Sequence, residues 1–162
     1  MSQQFLPEFA DAALVALALA EQEAKHLRYT VNTLFAENID LDWVRGLINR
    51  EDLSEKIDAF VTRFGRLQDH LGEKLLPAFA KLQGGQPKSL LDVLAYAERM
   101  GWVANAEEFI GTRKLRNLLV HEYMTEVELF LDALLSGQVA ASLLLSVLQN
   151  LKQEAKKIGL SQ

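Results

Sequence analysis

Between Leu53 and Leu71 the apolar residues fall at Leu53, Ile57, Phe60, Phe64, Leu67 and Leu71, alternately four and three apart. A helix turning about 100° per residue gathers these positions into one stripe, which the two-residue period of a strand cannot do. The chain must therefore contain a long helix whose stripe is covered by other helices. Similar spacing runs through Leu14, Leu17, Ala20, Ala24, Leu27, Val31 and Leu34, after a proline, Pro7, that suits a first helical position. Asp40 is placed to cap a short helix bearing Trp43, Val44, Leu47 and Ile48, and Asp52 with Glu55 has the spacing of a capping box for the seam helix. Pro77 should kink or end that helix.

Gly84, Gly85 and Pro87 mark a loop. Ser89 with Asp92 opens a helix that Gly101 can close, Asn105 with Glu108 opens another, and Thr125 with Glu128 one more. The last helical stretch runs through Val139, Leu144, Leu148, Leu151 and Ile158, with a break expected near Gly137. No segment alternates as a strand would, and no repeat is visible. The expected fold is all-α, an antiparallel bundle of four or five main helices plus short ones. It forms a single domain over 1–162, of which 1–50 is an acidic N-terminal helical segment.

With 162 residues the chain can bury a sizeable core without disulfide or metal. It has no cysteine, which excludes disulfide, zinc-thiolate and iron–sulfur sites. Three histidines are too few for a histidine-rich metal cage, and His121-Glu122 lacks the second histidine of a zincin helix. Gly84-Gly85-Gln86-Pro87-Lys88-Ser89 lacks the spacing of a phosphate loop and is read as a connector. The longest uninterrupted apolar runs, Ala12 to Ala20 and Val139 to Leu145, fall short of the roughly 18 residues of a membrane span. No basic residue precedes the first run, so a signal peptide is not expected either. A soluble, cytoplasmic protein without membrane contact and without a cofactor is the expectation.

Net charge is −5, unevenly spread. Met1 to Thr62 carries 5 basic and 11 acidic residues, whereas Arg63 to Met124 carries 9 and 7. The total charge taken alone argues against a nucleic-acid ligand, but the middle segment is the one that is net positive. There Arg113-Lys114-Leu115-Arg116-Asn117-Leu118-Leu119-Val120-His121-Glu122-Tyr123 separates on a helix into an apolar side, Leu115, Leu118 and Leu119, and a polar one. Arg113, Arg116, Asn117 and His121 fall within a sector about 140° wide, and Tyr123 returns to within about 20° of Arg116. Val120 lies inside that polar sector, as if another surface covered it.

Arginine offers a planar fork of donors to phosphate. Histidine titrates near neutrality and can move a proton. Asparagine can fix an imidazole tautomer or donate to a phosphate oxygen, and tyrosine supplies a hydroxyl and a stacking face for a base. The set suits RNA cleavage without a metal, with Arg113 and Lys114 as further phosphate contacts; the alternative is an Arg/His helix end interacting with a neighbouring acidic helix. On the seam helix, Arg66, Asp69, His70 and Glu73 lie off the apolar stripe, and Asp69 is placed either to orient His121, to pair with Arg116, or to pair with Arg66 on its own helix. His26 and His70 are read as surface or interface residues, and Trp43, Trp102 and Phe109 as core or interface.

An arginine four to six residues before a histidine is common by chance; Arg-Asn-x-x-x-His-x-Tyr occurs on the order of once per several thousand chains of this size. Arg116 to Tyr123 resembles the R-x4-H-x-Y signature of the HEPN superfamily, specifically its HepT-type toxin branch. The resemblance implies an HEPN-like helical homodimer in which two motifs face each other, acting as a metal-independent ribonuclease. Arg116 and His121 would be the catalytic pair, with Asn117 in support. It further implies an antitoxin partner, a minimal nucleotidyltransferase of the MNT type, that neutralises the toxin by transferring AMP to Tyr123. Two other readings stay open: a non-catalytic substrate-binding partner subunit of a nucleotidyltransferase, and a purely structural helical adaptor.

Overall fold

The computed structural model of the chain describes residues 4–121 and 126–161, with the His121 side chain outside that description. Every regular element among the described residues is helical, and the fold is an all-α bundle. After a 3-10 turn at Pro7–Phe9 come α1 (Ala10–Leu34), α2 (Leu41–Arg45) with a 3-10 extension at Gly46–Asn49, α3 (Glu51–His70), a π turn (Leu71–Leu75), α4 (Leu76–Leu82), α5 (Leu90–Arg99), α6 (Ala106–His121) and α7 (Val127–Ile158).

Side-chain contacts fix the directions. Along α1 and α3, Ala16 meets His70, Thr30 meets Arg63 and Phe35 meets Phe60, so the two helices run antiparallel. Between α3 and α6, Gly72 faces Phe109, Gln68 bonds Thr112 and Asp69 bonds Arg116, again in opposite directions. Asn150 on α7 donates to the Trp102 carbonyl ahead of α6, while Gly137 faces Leu119 near its end. Three antiparallel contacts thus place α3 and α6 side by side, with α1 and α7 completing the core.

The seam residues Leu53, Ile57, Phe60, Phe64, Leu67 and Leu71 are all buried, as their spacing predicts. Asp40 caps α2 through the Trp43 amide at 2.9 Å, Ser89 caps α5 through the Asp92 amide at 3.1 Å, and Asn105 caps α6 through the Glu107 amide at 2.8 Å. Gly101 takes a φ of +79° just past α5, the left-handed geometry that closes a helix. The Thr125 cap lies outside the described residues.

Four local expectations are corrected. On α1 the buried stripe runs through Ala13, Ala16, Ala20, Ala24 and Leu27, while Leu14, Leu17 and Val31 are half-buried, because small side chains let α1 approach its neighbours closely. Asp52 does not cap α3. It sits in the first turn, where the exposed Arg50 guanidinium bonds both its oxygens at 3.0 and 2.8 Å and holds its carboxyl down, to about 2. Of the two outcomes expected at Pro77, the end is the one excluded: the Leu71–Leu75 π turn widens the backbone ahead of a residue that lacks an N–H, and α4 follows directly. Finally, α7 is unbroken at Gly137, where a Cβ would stand 3.0 and 3.2 Å from the Phe60 ring. That glycine serves close packing. By length and composition α7 could cross a membrane; in this fold its stripe from Phe130 to Ile158 packs against the bundle.

Candidate functional site

The α6 motif helix rests on the bundle through Phe109, Thr112 and Leu119, all buried. Leu115 is half-buried, and Leu118, expected in the core, is 37% exposed because the buried arc of α6 is narrower than its apolar one. The opposite face presents Arg113, Lys114, Asn117 and Val120 to solvent, with Val120 at 53% exposure, in agreement with its place in the polar sector. Among the described residues nothing covers that valine.

Arg116 occupies the edge of this face, against α3. Its Nη1 donates to Oδ2 of Asp69 at 2.8 Å, with the two side chains 35% and 40% exposed. Of the two pairings the sequence offers Asp69, the inter-helix one with Arg116 is present and, among the described residues, no ion pair joins it to Arg66 on α3, while the role toward His121 lies outside the described residues. The guanidinium also lies over the backbone of Gly65, four residues before Asp69 and therefore on the same face of α3. Arg113, one turn back, borders a narrow recess with Gln68, Asp69, Gly72 and Phe109. Beneath it Gln68 donates to Thr112 Oγ1, and Thr112 in turn donates to the Phe109 carbonyl at 2.6 Å. This buried polar pair ties α3 to α6 directly under the arginines.

Arg116, Arg113 and Asp69 are thus brought together at the α3–α6 seam, with Lys114 and Asn117 exposed on the same helix. The His121 side chain and all of Tyr123 lie outside the described residues. His121 is the last described residue on α6, about 7.5 Å along the helix axis from Arg116 by helical rise. His70, read as a surface or interface residue, is instead half-buried, with Nε2 2.8 Å from the Ala16 carbonyl oxygen, and belongs to the α1–α3 packing. His26 is exposed, and its carbonyl accepts from Arg63. Trp102 and Phe109 are core; Trp43 is half-buried and donates to Glu37 at 2.9 Å.

Sequence reasoning passed over two participants. Gly65 breaks a strong helical seam with a poor helix former, a signal of close approach that was there to be read. Glu23 on α1 left no such signal. Its Oε2 is buried without a hydrogen-bond partner, and burial raises its carboxyl above the usual range, against the pull of His70 and Arg66. A raised acid stabilises the folded state below the unfolded value and loses that advantage as pH climbs through the folded one. Glu23→Gln should therefore gain stability over wild type between pH 4 and pH 7, by well under about 1 kcal/mol given its partial exposure. Melting temperatures of both proteins at the two pH values check the sign.

Comparison with protein-family models, with curated proteins and with solved structures finds no match for this chain.

Proposed function

We propose that this chain is a metal-independent RNA endonuclease, active as a homodimer, and the toxin of a type II toxin–antitoxin pair. Its resemblance to HepT-type HEPN toxins also implies neutralisation by a minimal nucleotidyltransferase that transfers AMP to Tyr123. The observation that carries the reading is Arg116, a half-exposed guanidinium held by Asp69 on a face shared with Arg113, Lys114 and Asn117. A phosphodiester needs such a planar donor fork among further cations. The exposed Val120 and Leu118 beside it suit a two-fold partner, which would bring a second motif into reach.

The chemistry balances without a metal. His121 removes the proton of a 2′-hydroxyl, whose oxygen attacks the adjacent phosphorus, and Arg116 stabilises the doubly charged phosphorane. The bond to the 5′-oxygen then breaks, with the histidine of the second subunit returning a proton to the leaving group. The products are a 2′,3′-cyclic phosphate and a 5′-hydroxyl. Purified protein should cut single-stranded RNA in EDTA and leave those ends. If no cleavage occurs under any condition while a stable complex with a nucleotidyltransferase forms, the non-catalytic partner reading replaces this one.

Arg113 and Lys114 would act as phosphate contacts alone. The double variant Arg113→Ala/Lys114→Ala should flatten the plot of log affinity against log salt by about 1.4, at about 0.7 per contact on a single strand. Titration of RNA binding at several salt concentrations measures that slope, and an unchanged slope removes both residues from the interface.

A further inference from the structure

A Cβ placed on Gly65 would stand 2.5 Å from Nε, 2.6 Å from Cζ and 2.9 Å from Nη2 of Arg116. Three atoms of one guanidinium occupy the space that any other residue would fill. Gly65 is buried in the interior of α3, where glycine is among the poorest helix formers and its freedom of φ is not used. Neither turn nor left-handed geometry calls for it. What its bare backbone supplies is room, and the side chain that takes the room is the arginine of the motif.

We propose that Gly65 is a positioning residue for Arg116: with Asp69 one turn on, it forms a seat on α3 that holds the guanidinium in one place. Gly65 supplies a flat backbone floor, and Asp69 Oδ2 grips Nη1 at 2.8 Å. A long side chain with several rotatable bonds would otherwise have to lose that freedom on meeting its ligand. Held in the seat, Arg116 loses it at folding. The effect on turnover rests on the ribonuclease reading; the seat itself does not.

The seat and the reading separate in one experiment. Gly65→Ala is made beside a control, Gly111→Ala, whose added Cβ would meet nothing within 4 Å. Both variants should melt at or above the wild-type temperature, since alanine favours the helix. The nitrogen-15 NMR signal of the Arg116 Nε–H, shifted and slow to exchange in the wild type and in Gly111→Ala, should collapse toward free arginine in Gly65→Ala. RNA turnover by Gly65→Ala should fall about a hundredfold with KM changed less than about threefold, while Gly111→Ala turns over normally. An Arg116 signal unmoved in Gly65→Ala overturns the seat, and a moved signal with full turnover overturns its positioning role. Should the wild type cut no RNA at all, the ribonuclease reading falls alone, and the signal still decides whether the seat exists.

Discussion

Arg116→Ala and His121→Ala should each abolish RNA cleavage, with rates down by about a thousandfold or more and the fold intact. Losing a positioned donor from a developing oxyanion costs about 10²–10³ in rate, and losing a general base about 10²–10⁴. The effects should not multiply in the double variant, because both groups serve one transition state. The fold tolerates both changes for different reasons. Arg116 is half-exposed and its pair with Asp69 is partly solvated, worth no more than about 1 kcal/mol. His121 falls, by helical rotation, in the polar sector opposite Leu115 and Leu119. Circular dichroism melts should therefore superpose while a fluorogenic RNA assay in EDTA goes silent. Cleavage surviving at more than about a tenth of the wild-type rate in either folded variant rejects the catalytic assignment.

The largest loss of stability should come from Phe60→Ala. This ring is fully buried on α3, meets Phe35 edge-on at 5.5 Å and Phe64 at 5.8 Å, and presses against the α7 backbone at Gly137. It thus joins α1, α3 and α7 at one point. Truncating such a phenylalanine costs about 3–5 kcal/mol, transfer and cavity together, against a total of about 5–15 for a domain of this kind. A drop in melting temperature of about 10 °C follows from about 2–4 °C per kcal/mol at this size. Urea titration should show the midpoint lowered at unchanged slope. Adding Gly137→Ala to the variant should recover part of the loss, since the Cβ then enters vacated space and α7 gains helix propensity. A loss below about 1 kcal/mol would show that Phe60 is not the junction the packing makes it.

These two expectations differ in how much of them is written locally. The polar sector of α6 was legible because Arg113, Arg116, Asn117 and Val120 lie within two turns of one helix, and rotation per residue alone sets their relation. Phe60 was legible as core from its place in the seam. Its neighbours Phe35 and Gly137 were not, being 25 residues before and 77 after it. The same divide separates Asp69, which the sequence offered with three alternative partners, from Gly65, which it hid. Both act on an arginine some fifty residues away, and only packing of α3 on α6 brings them to it.

From its residues alone the chain determined that it would be helical, where helices would start at Asp40, Ser89 and Asn105, and that a stripe through Leu53 to Leu71 would be buried. Those are consequences of hydrogen bonds and periodicities that close within a few residues. The tertiary structure decided which face of α1 turned inward, how the backbone passed Pro77 and Gly137, and which carboxylate held Arg116. Each of these depends on the shape of a neighbouring helix. An alanine stripe, a π turn and a bare glycine are favoured only once the surface they fit has formed.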